Sequence, residues 1–398
     1  MKKRSLVKGA VAAALLLLAS SPLGVSGTVA EAAAQRTPSF TLDHNWPKPL
    51  PNNWQIGPLT GLATDRHDII WTANQSNRLN AYDLALQAGI ADCCRAAPTI
   101  MAFDRAGNLV KSWNVTAVRG TPRDACGPFK CFDGVHTIYV DQKDNVWIVG
   151  NGKGDSHIVK FDYNGKFLLQ IGGSDAPGCC GNQDTQNLNN GNLGGGTGIA
   201  YWPATNEVFV SDGYINRRVI VFDADTGQFK RMWGAYGKQP PTSVLNEKTG
   251  TMETPTPVQT ATGPGAPEFS TVHGIGITPD GTVWVADRVG RRIQQFTIDG
   301  KFLREHFVKR NTSVPTGVVY SFSFSPDMRH VYIADGGNKK IHILDRETFR
   351  ELGQIGGCGG QMDGCFNHVH VTTTDKDGNV YTGEAAAGAR FQRWNIRR

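Results

Sequence analysis

The chain has 398 residues, 39% hydrophobic and 19% charged, with a formal net charge of +6. Residues 1–34 hold four basic and one acidic side chain, so the rest carries only +3. With no Lys/Arg block, that balance excludes nucleic acid or an anionic membrane surface as an electrostatic partner.

Lys2, Lys3, Arg4 and Lys8 precede an apolar run from Ala10 to Ala19, and small residues lead to Ala32-Ala33-Ala34. This order predicts a secretory signal peptide over 1–34 rather than a membrane span, because the run is too short to cross a bilayer. Export to the periplasm or the extracellular space is expected, with no membrane span in the mature chain. Phe40 to Asp43 alternates and precedes the first repeat, so it is expected to supply the outer strand of the last repeat and close a ring.

Six repeats follow. The clearest is VHGIGITPDGTVWVADRVGRRIQQF, from Val272 to Phe296, in which a short alternating run meets a Pro279-Asp280-Gly281 turn and two further strands. Alternation broken by Asp-Gly turns marks antiparallel hairpins. Related stretches start at Leu59, Asp133, Gly198, Phe322 and His368, each anchored on one aromatic: Trp71, Trp147, Phe209, Trp284, Tyr332 and Tyr381. Three residues past each aromatic stand Asn74, Gly150, Asp212, Asp287, Asp335 and Glu384, a position suited to an inter-strand turn. Six sheet-forming repeats without a helical period predict an all-β chain, one six-bladed β-propeller over 35–398.

Loop-like composition fills 85–98, 172–196 and 238–268. Such insertions are expected on one rim, shaping the mouth of the axial channel. The eight cysteines fall as Cys93-Cys94, Cys126 with Cys131, Cys179-Cys180, and Cys358 with Cys365. In an exported chain they are expected to form disulfides, the two spaced pairs each stapling a loop. The doublets leave open pairing with each other or with distant partners. No C-x-x-C pair supports a thiolate metal cluster instead.

The repeat register isolates three of the ten histidines. His136, His273 and His370 each follow a valine and each lie eleven residues before the aromatic of repeats two, four and six. The equivalent positions of repeats one, three and five fall near Thr60, Gly198 and Tyr320. Alternate blades of a sixfold ring face one another across the axis, so the three imidazoles are expected to converge on the channel as a metal site. Three imidazoles with an open fourth position is the pattern of a catalytic metal. Zinc suits neutral nitrogen ligands, as do iron and copper. His44, His67, His157, His306, His330 and His342 show no such register and read as ordinary hydrogen-bonded residues.

The stretch SDGYINRRVIVFDADTGQFKRMWG, from Ser211 to Gly234, together with the Val272 repeat and HVHVTTTDKDGNVYTGE from His368, resembles the NHL-repeat propeller of peptidyl-α-hydroxyglycine α-amidating lyases. The resemblance implies zinc ligands at His136, His273 and His370, a catalytic tyrosine at Tyr214, and an arginine at Arg288 that receives a substrate carboxylate. It implies cleavage of a C–N bond with release of glyoxylate from a peptide or small-molecule substrate in the channel of a monomer. Three positions depart from that pattern. Val371 stands where the family has a calcium-ligating aspartate, His368 replaces a methionine, and Asn74 falls where the family has an arginine, with Arg78 nearby. A lactonase-type propeller hydrolase and a non-catalytic NHL binding module are the alternative readings. Lactonase sites use carboxylates and amides around calcium, which histidines do not provide.

Overall fold

The computed structural model describes residues 37–79, 83–117, 122–173, 191–241, 244–246, 251–253, 261–386 and 388–397. The signal-peptide expectation for 1–34 and the Cys179-Cys180 doublet lie outside these. No helix among the described residues is long and apolar enough to cross a membrane.

Six four-stranded antiparallel sheets form the six blades. Their innermost strands are Leu59–Thr64, Val135–Val140, Gly196–Trp202, Val272–Ile277, Ser321–Phe324 and Val369–Thr374. Each packs beside the next, and the sixth packs beside the first, so the ring is closed. The strand Ser39–Asp43 pairs with Arg390–Arg397 as the outer edge of blade six, as the alternation at Phe40 predicts. Both ends of the described chain thus share one sheet, which leaves no unpaired gap in the ring.

The core is distributed between blades. One apolar cluster fills each of the six interfaces, from Trp71 with Val135 and Ile138 between blades one and two, to Leu59 with Tyr381 and Phe391 between blades six and one. All six anchoring aromatics are buried. A period-two strand can turn one face to each neighbouring blade, and the second strand of every blade is buried on both faces, while the outermost strands are partly exposed.

Within an antiparallel blade the start of the innermost strand and the end of the second strand lie on one face of the ring. The insertions 85–98, 172–196 and 238–268 all connect at this face, the first between the second and third strands of blade one, the others between blades. Cys126–Cys131 and Cys358–Cys365 staple two loops of the same face. Cys93 bonds Cys94 rather than the other doublet.

Candidate metal centre

Five of the six innermost strands carry a bulge at one shared place. The ladder skips from Leu59 to Gly61, Val135 to Thr137, Gly196 to Gly198, Val272 to Gly274 and Val369 to Val371. The skipped residues are Thr60, His136, Thr197, His273 and His370. A bulge frees one residue from the pleat and re-aims its side chain, here at the site all three histidines share. It also moves the blade-three equivalent to Thr197, one residue before the position the repeat spacing indicates.

Buried carboxylates fix where those bulges start. Asp287 accepts the backbone N–H groups of Ser270 and Thr271 at 3.0 and 2.9 Å, just ahead of His273. Glu384 does the same for Asn367 and His368 at 2.5 and 2.8 Å, ahead of His370. In blade two the grip on Asp133 and Gly134, at 3.0 and 2.9 Å, comes from Asp155 instead of position 150. The turn there is longer, so the acid arrives eight residues after Trp147, where the repeat register does not point. Arg292 and Arg390 neutralise two of the three acids.

The imidazoles form a nearly equilateral triangle, with ring centroids 4.9, 5.0 and 5.0 Å apart. Each Nδ1 meets a backbone carbonyl of the following blade: His136 to Thr197 at 2.9 Å, His273 to Tyr320 at 2.6 Å, His370 to Thr60 at 3.1 Å. A carbonyl only accepts, so each Nδ1 carries the hydrogen and each Nε2 presents a lone pair. Burial drives all three pKa values down, His136 to about 3 and the other two well below the ordinary value, with Arg288 adding to the effect. The rings are therefore neutral near pH 7, as a metal ligand must be. One ligand nitrogen from each lies within 4.8 Å of the others. The donor set, the fixed tautomers and the charge state all fit a divalent transition metal.

Tyr214 and Arg288 come from turns of blades three and four on the same face. The Tyr214 hydroxyl lies 3.2 Å from His136 Nε2 and 3.1 Å from His273 Nε2. Gly213 makes this approach possible, since a Cβ there would run into the Val272 carbonyl. Burial raises the Tyr214 pKa, against the opposing pull of Arg288, although 39% of the residue is open to solvent on its outer side. Arg288 donates to the Tyr214 hydroxyl at 3.4 Å and lies over the rings of Tyr214 and Tyr320, 5.4 and 5.0 Å from their centroids. No described carboxylate pairs with it, and its buried Nε has no hydrogen-bond partner.

The departures from the expected pattern take structural roles or border the site. Val371 packs in the apolar cluster between blades six and one, so no carboxylate stands there to bind calcium. Asn74 is buried and holds Gly57 N–H and the Pro98 carbonyl. Arg78 pairs with Asp133 at 2.5 Å. His368 lies one residue ahead of the strand Val369–Thr374. Its ring meets the edge of Tyr320 at 5.1 Å and stays 6.4 Å from that of His370. Elsewhere, His157 bonds the Lys130 carbonyl and His342 bridges Asp335 and Glu351, as expected outside the register, whereas His306 stacks on Phe349 with its Nε2 unpartnered among the described residues.

No protein-family profile matches the chain. Its relatives include rat (Rattus norvegicus) peptidylglycine alpha-amidating monooxygenase, 28% identical over 63% of this chain and 22% of that protein. The chain thus spans about a fifth of that relative's length. Human (Homo sapiens) NHL repeat-containing protein 3 is 26% identical over 73% of this chain and 71% of that one. Among solved structures, one of a streptogramin B lyase aligns over 91% of this chain and 98% of its own at TM-score 0.50 and 15% identity, a likeness of fold. The chain is a six-bladed propeller whose sequence is similar to that of an NHL repeat-containing protein.

Proposed function

We propose that this protein is an exported, zinc-dependent lyase that cleaves the C–N bond of a peptidyl or other N-acylated α-hydroxyglycine, releasing an amide and glyoxylate. The observation that carries the reading is the neutral three-histidine triangle with Tyr214 at its rim and an unpaired Arg288 beside it. Zinc at His136, His273 and His370 would supply Lewis acidity, lowering the pKa of the substrate hydroxyl.

Arg288 offers a planar guanidinium to the substrate carboxylate and so sets the distance of the α-carbon from the triangle. Tyr214 is protonated at neutral pH because its pKa is raised. It gives that proton to the departing nitrogen and takes one from the substrate hydroxyl. The electrons of the O–H bond form the C=O of glyoxylate, and those of the C–N bond leave with nitrogen. The balance needs no water and no oxidant. A relative aligned over 63% of this chain is an alpha-amidating monooxygenase by name, which supports the same reading.

The test is to load the purified protein with zinc, supply an N-acyl-α-hydroxyglycine, and measure glyoxylate. Tyr214→Phe is expected to lower kcat about 100-fold or more, and Arg288→Ala chiefly to raise KM. A zinc-loaded protein that releases no glyoxylate would overturn the reading.

A further inference from the structure

Tyr214 has a third polar neighbour. Asn151 occupies in blade two the turn that Tyr214 and Arg288 occupy in blades three and four, and its backbone N–H is fixed on the Gly134 carbonyl at 2.9 Å. Its side chain lies near the Tyr214 hydroxyl and acts to lower that group's pKa, against the effect of burial. A phenol oxygen accepts twice and donates once, so with Arg288 at one acceptor site its hydrogen faces an imidazole Nε2.

Asn151 Oδ1 is buried and has no hydrogen-bond partner among the described residues, and Arg288 Nε, beside the same tyrosine, is likewise buried and unpartnered. A buried acceptor without a donor costs on the order of 1–3 kcal/mol, so two complementary orphans flanking one hydroxyl call for a ligand that satisfies both. The required ligand carries an anion for the guanidinium and an N–H close to it. A secondary amide one carbon from a carboxylate carries both groups, whereas an ester or an N-alkylated amide lacks the donor.

We propose that Asn151 is a specificity-determining residue whose Oδ1 accepts the amide N–H of an N-acylated amino-acid-type substrate while Arg288 holds its carboxylate. The inference rests on the lyase reading for the chemistry that follows binding, but recognition itself requires no turnover. Asn151 thereby distinguishes N–H amides from N-alkyl amides and from esters of glycolate.

The experiment is calorimetric titration of the zinc-loaded protein with N-benzoylglycine, N-benzoyl-N-methylglycine and O-benzoylglycolate, none of which carries the reactive hydroxyl. Wild type is expected to bind the first about 10–50-fold more tightly than the other two, the range expected for one hydrogen bond to a buried acceptor. Asn151→Ala is expected to bring that ratio below about threefold, with zinc content and melting temperature unchanged. Equal binding of the three by wild type, no binding of any, or a ratio retained in Asn151→Ala overturns the proposal. A ratio that behaves as expected in a protein that releases no glyoxylate supports the role of Asn151 and overturns the lyase chemistry alone.

Discussion

Blades two, four and six share their fold with blades one, three and five, yet the two sets contribute differently to the axis. The even blades place an imidazole at the bulge, and the odd blades supply the carbonyls of Thr60, Thr197 and Tyr320 that orient those imidazoles. The loops differ as well. In each even blade a carboxylate grips two consecutive backbone N–H groups ahead of the bulge. In blades one and three, Asn74 and Asp212 each grip one, Gly57 and Gly194. Blade five has neither the grip nor the bulge. A repeated sheet thus carries two alternating roles, and the firmer hold goes to the blades whose side chains must be placed accurately.

Converting the even blades into odd ones is the strongest way to break the comparison. A His136→Thr, His273→Thr, His370→Thr protein is expected to keep the propeller, since threonine already occupies the bulge at Thr60 and Thr197, and to lose stoichiometric metal entirely. Elemental analysis alongside a thermal melt reads both. Metal retained by that variant would sink the three-histidine site.

The carboxylate grips give the next largest effect. Asp287→Asn and Asp212→Asn each weaken the pairing of a buried arginine, Arg292 or Arg218, so each is expected to destabilise by up to about 3–5 kcal/mol. Only Asp287→Asn is expected also to weaken zinc binding, by about 10–100-fold, because only its loop leads into a ligand. Competition with a chromophoric chelator measures the difference, and equal affinities would mean that the grip is structural in both blades.

The metal-free protein should show a pH signature of the even blades. Burial lowers the three histidine pKa values in the fold, so below the unfolded value of about 6.5 the unfolded chain binds more protons than the native one. Stability is therefore whole above about pH 6.5 and falls as the pH drops toward the His136 value of about 3. The triple threonine variant is expected to have a flatter melting profile over that window.

The smallest effect belongs to an odd blade. Thr197 gives His136 its carbonyl, while its hydroxyl bonds the Ser211 and Val272 carbonyls at 2.8 and 2.7 Å. Thr197→Ala is expected to cost about 1 kcal/mol of stability and to leave zinc affinity within about twofold. A large loss of metal would show that the hydroxyl, not the carbonyl, orients the ring.

Much of this was legible in the chain. Six aromatics spaced through alternating runs fix six blades, because burial between neighbouring sheets requires one large side chain at the same place in each. The shared offset of His136, His273 and His370 marks the site because a ring turns equal sequence offsets into convergent positions. Tyr214 and Arg288 followed from resemblance, and the structure brings both to the triangle. Asp155 escaped because a longer turn shifts the acid out of register. Asn151 carries no local signal, since an asparagine in a Gly-rich turn reads as turn chemistry.

The sequence by itself determined the number of blades, the recurrence of histidine in alternate repeats around the axis, and the closing role of Phe40 to Asp43, all of which follow from periodicity. Only the tertiary structure decided which nitrogen of each imidazole is free, which acid grips which loop, and which polar atoms are left buried without partners. Those depend on contacts between different blades, as with Thr60 and His370, and on bulges that shift a side chain by one residue without altering the pattern around it.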